Sequence, residues 1–346
     1  MTDPSLSYGD RWSWPSGPHR TSLLICHAVA LLTFVVSTVT GDLSQVDRLW
    51  SILPAVYAWT CVVDARTTLA ACLATAWSVR LTYNFYRRGG YGSWPRPWRG
   101  DEDYRWGALR SGSLGGGWWT LLTNGWMMTI FNFVFISLFQ NYLLLYIASP
   151  SLVAWSMATA ATPPSLNVVD AIASVLFVVS LIGETVADNQ QRAFQKGKEA
   201  WRLRNSRRTD DAGLADAGDA SSSVERQYED GFCQSGLFAI VRKPAYAFEQ
   251  LIWISYYLFS VAAVTAGHSD PGDGRRRYHY WNWSGGGWIL LCLLFQGSGW
   301  LTEKISMSKY PAYRTYRKRV PLYVPRIPSL RHLIVGVAVE DREKDK

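Results

Sequence analysis

Long apolar runs alternate with short, strongly charged connectors along almost the whole chain. The first run, 21–39, is about the ~20 residues needed to cross a hydrocarbon core. It starts too far into the chain, and lacks the small-residue cleavage pattern, expected of a signal peptide. Further runs lie at 49–63, 67–86, within 118–148, and at 166–187, 244–266 and 286–301. The pattern predicts an all-α fold, a polytopic membrane helical bundle of about seven transmembrane helices. Pro54 falls inside the second run, and the fourth is long enough to tilt or to begin at the interface.

The connectors differ in kind. Residues 1–20 read as a polar lead-in, 21–325 as one multi-span membrane domain, and 326–346 as a polar tail. The 87–117 connector is rich in Gly, Pro, Trp and Arg, which argues against continuous helix. Residues 150–165 read as a short loop without Lys or Arg. The longest polar segment, 189–230, contains an Asp/Ala/Gly/Ser stretch expected to be a disordered cytosolic insert at about 205–226. Lys and Arg concentrate in the third–fourth connector, the fifth–sixth connector and the tail. With seven crossings all three fall on one side, so the carboxyl terminus is expected in the cytosol. The run Arg275–Arg277 falls on the other side, against that rule; Asn282 to Ser284 matches a glycosylation acceptor on that non-cytosolic side, too close to the seventh run to be used.

Composition sharpens this picture. Eighteen Trp and eighteen Tyr, many near the ends of apolar runs, match interfacial aromatic belts. The net charge of +8 sits mainly in connectors, which suits a bilayer and no nucleic acid. No two of the five cysteines have metal-ligand or redox spacing, so no metal site is expected.

An ionisable group within a span costs ~2.5–3.5 kcal/mol on insertion scales, which makes it a functional candidate. Glu184, Asp188 and Arg192 recur at i, i+4 and i+8 on one helix face and could meet a ribose and a phosphate, or pair with one another. Asp47, Arg80, Tyr83 and Asn84 fall where the first three spans could meet; a tyrosine beside charged partners can donate a proton, and can equally anchor an interface. Glu303, Tyr310, Tyr313, Arg314 and Arg317 share a broad face if the tail is helical, as would an amphipathic helix on anionic lipid. The segment 236–259 joins a basic pair, Arg242 and Lys243, to a helix opened by Pro244 and carrying Tyr246 and Glu249. A positive mouth, free backbone N–H groups and an inward carboxylate suit an anionic ligand.

The stretches QVDRLWSILPAVYAW (45–59), RLTYNFYRRGGY (80–91), DEDYRW (101–106), ETVADNQQRAF (184–194), GLFAIVRKPAYAFEQLIW (236–253) and LTEKISMSKYPAYRTYRKRVPLYVP (301–325) resemble, in order, the DUF1295 branch of the steroid 5α-reductase superfamily. The resemblance implies an endoplasmic-reticulum membrane reductase that uses NADPH to saturate a lipid-like or steroid-like enone. It assigns Tyr83 to the carbonyl and Asp47 to its acidic partner. It assigns Glu184, Asp188, Arg192, Arg242, Lys243, Tyr246, Glu249, Glu303, Tyr310 and Tyr313 to the cofactor. Many relatives read Arg-His-Pro-Asn where this chain has Arg242, Lys243, Pro244 and Ala245, so an imidazole and an amide are lost. The carboxyl-terminal region also resembles isoprenylcysteine-type methyltransferases, which bind S-adenosylmethionine. A non-catalytic membrane scaffold of the same fold is the third expectation.

Overall fold

The computed structural model describes residues 17–93, 95–112, 118–158, 165–211, 223–266 and 281–326. Most of these residues are helical, with no strand among them. In chain order the helices are α1 (Pro18–Thr40), α2 (Gln45–Trp50), α3 (Leu53–Thr60), α4 (Ala65–Arg87), α5 (Tyr104–Arg110) and α6 (Gly125–Phe131). A π-helical stretch, Asn132–Phe139, leads into α7 (Gln140–Ala148), and α8 is Pro150–Ala158. Then come α9 (Val168–Asp211), α10 (Ser223–Asp230), α11 (Pro244–Ala266), α12 (Gly285–Lys309) and α13 (Tyr313–Arg319).

Local chemistry explains the starts and stops. Pro18 opens α1 where its missing N–H costs nothing, and Gly41, at φ 70, ends it in the left-handed conformation. Asp64 and Thr67 form a reciprocal capping box at the start of α4. Asn167 accepts from the Val169 amide at 2.9 Å and so caps α9.

Four described helices are long and apolar enough to cross a membrane: Pro18–Thr40, Gly125–Ala148, Val168–Arg207 and Pro244–Ala266. Their outer faces agree, since α1 exposes Leu24, Leu31, Leu32, Val35 and Val39, and α9 exposes Ile172, Val175, Val179 and Ile182. Such contiguous apolar surface is rare on water-soluble monomers. This is a membrane protein.

The details depart from the sequence expectation in four places. The second run is broken at 51–52 into α2 and α3, because Pro54 favours a fresh helix start. Eight residues of α3 cover only ~12 Å, well short of a bilayer core. The expected loop at 150–165 instead begins with α8, opened by Pro150. The polar connector after the fifth run is helix through Asp211, since α9 continues for 44 residues. Of the expected insert, 205–211 belongs to α9 and 223–226 to α10, while 212–222 lie outside the described residues. So do the loop residues Arg275–Arg277, most of the 1–20 lead-in and the tail beyond 326.

The chain divides into two compact units. Unit one comprises Met1–Val179 and Gln250–Gln296. Its core centres on Trp77 and Trp253, edge to face at 4.9 Å, with Tyr256 bonded to Ser151 at 2.5 Å. Phe131, Phe135 and Phe139 stack at 5.0 and 5.4 Å, while Asn132 donates to Ser37 of α1 at 2.8 Å. Arg66 of α4 meets Asp170 of α9 through two hydrogen bonds, at 2.8 and 2.9 Å. Unit two comprises Ser180–Glu249 and Gly297–Lys346. Its small aromatic core is Phe232 with Tyr313 and Tyr316, flanked by Tyr310.

Candidate functional site

Unit two gathers most of the charged residues singled out by sequence. Glu184 and Asp188 are buried on the expected face of α9, and Glu249 and Glu303 are also buried. Arg192 follows Asp188 by one turn; its Nη1 is buried and has no hydrogen-bond partner among the described residues. Gln190, on the same helix, accepts from the Leu237 amide at 2.9 Å and fixes the turn that leads to the basic pair. Gly236 sits there at φ 61, and a Cβ on it would fall 2.6 Å from the Gln190 amide. Only glycine meets both demands.

The basic pair is where structure most changes the reading. Arg242 does not project into open space. Its Nε donates to Glu303 Oε1 at 2.5 Å, and its Nη1 donates to the carbonyls of Arg317 (3.0 Å) and Val320. Those carbonyls belong to the last turn of α13 and to the residue that follows it, and such orphan acceptors need donors. The backbone follows suit, with the Arg242 and Lys243 amides donating to Pro321 and Leu322 at 2.8 and 3.1 Å. Glu303 also pairs with Arg317 at 3.3 Å and accepts from the Tyr313 hydroxyl at 3.4 Å. Arg242, Glu303 and Tyr313 therefore build the frame that docks the tail. Lys243 is less buried, its Nζ 6.0 Å from the Tyr246 ring, and Tyr246 lies 3.4 Å from Ser298.

Lys198 was not visible as a site residue. It is only 5% exposed, yet its ammonium meets no carboxylate among the described residues. It donates to Gly231 O at 2.5 Å and to the Tyr310 hydroxyl at 3.2 Å, and lies 4.9 Å from the Tyr310 ring centre. Burial alone would raise the Tyr310 phenol; the bond and charge of Lys198, with Lys309, outweigh it and lower the value. Tyr313 and Tyr316 move the other way, raised first by burial, so both remain neutral donors at ordinary pH.

A family model described as a protein of unknown function, DUF1295, matches residues 33–320. This chain belongs to the DUF1295 family. An uncharacterised protein of Schizosaccharomyces pombe is 32% identical over 335 residues, covering 93% of this chain and 83% of that protein. No solved structure matches.

In unit one of this DUF1295 protein, Asp47 and Tyr83 share no contact. Tyr83 is 58% exposed, with the Arg87 guanidinium 4.7 Å above its ring, and Arg87 also donates to Asn84. Asp47 instead accepts from Trp106 Nε1 of α5 at 3.2 Å. The reason is local: α2 carries Asp47 towards α5, whereas Tyr83 lies on an exposed side of α4. Burial raises the Asp47 carboxyl, with Arg105 opposing and Asp103 assisting. A raised native value favours the protonated form. Its stabilising contribution is complete below the unfolded value of about 3.9 and is lost as pH rises through the native one. Asp47→Asn, which mimics the protonated acid, is expected to melt above wild type at pH 7, the gap closing as pH falls towards ~4. A lower melting point at pH 7 would mean that attraction to Arg105 outweighs burial.

Proposed function

We propose that this protein is an NADPH-dependent reductase of the carbon–carbon double bond in a lipid-like enone, placed in the steroid 5α-reductase superfamily. Seven crossings, an endoplasmic-reticulum location and a cytosolic carboxyl terminus complete the proposal. The observation that carries it is Arg192, a buried guanidinium donor without an acceptor, one turn from buried Asp188 and two from buried Glu184. A buried cationic donor calls for an anion, and the neighbouring carboxylates suit ribose hydroxyls. The donor set therefore fits a dinucleotide phosphate.

The roles divide accordingly. Arg192 and Lys243 hold phosphate, while Glu184, Asp188 and Glu249 orient sugar and base. Tyr246 lines the same turn, and Tyr310 lies beside the ammoniums of Lys198 and Lys309. Arg242, Glu303 and Tyr313 position these groups by holding the tail. When bound, NADPH supplies the hydride that adds to the enone β-carbon. Tyr83 donates a hydrogen bond to the substrate carbonyl, and Asp47, whose carboxyl is raised by burial, is the second acidic group of the reaction. A proton reaching the α-carbon completes the addition. A non-catalytic scaffold is the second reading, favoured by the internal contacts that occupy most of Arg242.

Thermal unfolding of the purified protein separates these readings. Saturating NADPH is expected to raise the melting temperature, by the equivalent of ~2.7 kcal/mol at a hundredfold excess over Kd, while S-adenosylmethionine does not. Arg192→Ala should weaken that protection by tenfold or more in apparent affinity, at ~1.4 kcal/mol per factor of ten. Tyr83→Phe should leave the protection intact and lower turnover. Absence of NADPH protection in the wild type would sink the reductase reading, and protection by S-adenosylmethionine would replace it.

A further inference from the structure

A cleft of about 240 Å³ opens within unit one, where α1, α7, α8 and α12 come together. Its lining is largely apolar and includes Tyr142, Tyr146, Leu152, Trp283 and Leu290, with His19 as a further polar member. The volume lies below the roughly 300–1,000 Å³ of sites that enclose a drug-sized ligand. It suits one end of a chain molecule whose remainder runs outward through the open side. The wall is firm, since Tyr146 donates to Trp283 O at 2.7 Å and stacks on its ring at 6.1 Å.

Tyr142, at this wall, belongs to a relay with no role in the proposed reductase chemistry. Its hydroxyl lies 2.5 Å from His27 Nε2 of α1, and His27 Nδ1 lies 2.7 Å from Leu23 O. A carbonyl can only accept, so Nδ1 carries the ring proton and Nε2 of the neutral imidazole accepts from Tyr142. The ring edge-to-face contact, at 5.5 Å, keeps the pair in register. His27 and Tyr142 are both exposed, and His27 lies between Leu24 and Leu31 on the exposed apolar face of a membrane-crossing helix. An ionisable side chain on the face of a membrane-crossing helix is a functional candidate.

The geometry points to this cleft as a binding site for a single-chain lipid alcohol that enters from the bilayer. The hydroxyl group of the lipid donates to Tyr142 Oη, and its chain occupies the apolar pocket. The tyrosine proton is already committed to His27, so what Tyr142 offers is acceptor lone pairs, and the matching ligand group is a donor. The donor must also be uncharged, because an ammonium or a carboxylate would be desolvated against apolar walls without a counter-ion. An alcohol meets both conditions, whereas an ether or a bare alkyl chain does not.

The test uses full-length protein in lipid nanodiscs, labelled by a diazirine-bearing hexadecanol, with hexadecanol and its methyl ether as competitors. Saturable labelling of peptides from α1, α7, α8 or α12 is expected, with hexadecanol competing about five- to tenfold better than the ether, the size of one net hydrogen bond. Tyr142→Phe should remove that preference while chain binding remains. His27→Phe should also remove it, since the freed hydroxyl can then donate to the ether. Leu290→Trp should abolish labelling by filling the pocket. Equal competition by alcohol and ether on wild-type protein would overturn the proposal, whatever the variants do. So would labelling confined to other helices, or an alcohol preference that survives Tyr142→Phe.

Discussion

Glu303→Ala is expected to cost about 3–5 kcal/mol and to release the carboxyl-terminal helix, because it leaves the Arg242 guanidinium buried without its counter-ion. Three groups lose their acceptor together: Arg242, Arg317 and Tyr313. The seven residues of α13 are too few to hold helical structure alone. They stay because Arg242 caps their last carbonyls and because Tyr313 and Tyr316 pack on Phe232. Limited proteolysis reads the effect directly, as faster cleavage after Arg314 and Arg317 in the variant. Glu303→Gln keeps an acceptor for Arg242 and should be milder. If Glu303→Ala cleaves no faster than wild type, the tail is held by its aromatic contacts alone. Under the proposed function the same variant also loses NADPH protection, and Glu303→Gln keeps part of it.

The second large effect concerns Asp170, which does two jobs at the start of α9. It forms a two-point ion pair with Arg66, the partners being 1% and 2% exposed. It also accepts from the Asn167 amide at 2.8 Å, while Asn167 accepts from the Val169 amide, so the helix start depends on it. Asp170→Ala should destabilise by about 3–5 kcal/mol through the stranded Arg66 alone. Loss of the cap interaction adds up to ~1 kcal/mol. Because the pair is buried, the loss should change little between low and high salt, unlike that of a surface pair. Replacing both partners, as Arg66→Met with Asp170→Leu, should recover much of the ion-pair loss but not the cap. A single variant that unfolds like wild type in urea would show that the pair contributes nothing beyond the apolar packing around it.

These two junctions also show why sequence reading stopped where it did. Arg66 and Asp170 lie 104 residues apart, and Arg242 and Glu303 lie 61 apart. Periodicity places each residue on a helix face but carries no signal for which distant face meets it. One hint was available, since Asp170 is a carboxylate inside an otherwise apolar run, and such a residue usually has a partner. Lys198 gave no such hint, because it follows Lys196 in a polar, charged segment and its burial depends on Gly231 and Tyr310. His27 and Tyr142, 115 residues apart, are the same case within two apolar runs.

What the sequence determined by itself is everything that rests on local physics. Apolar runs of bilayer length, prolines at helix starts and the i, i+4, i+8 spacing of Glu184, Asp188 and Arg192 specify a helical membrane protein and one charged helix face. The family was legible too, since its motifs are contiguous in the chain. The tertiary structure alone decided which charges are occupied. The stretch from Arg242 to Glu249 read as an open, positive mouth, yet Arg242 is turned inward to cap α13 and neutralise Glu303. A buried guanidinium must find acceptors wherever the fold brings them, and here the fold brings the tail. Of these two guanidiniums, Arg192 and not Arg242 keeps a buried Nη1 still to be satisfied.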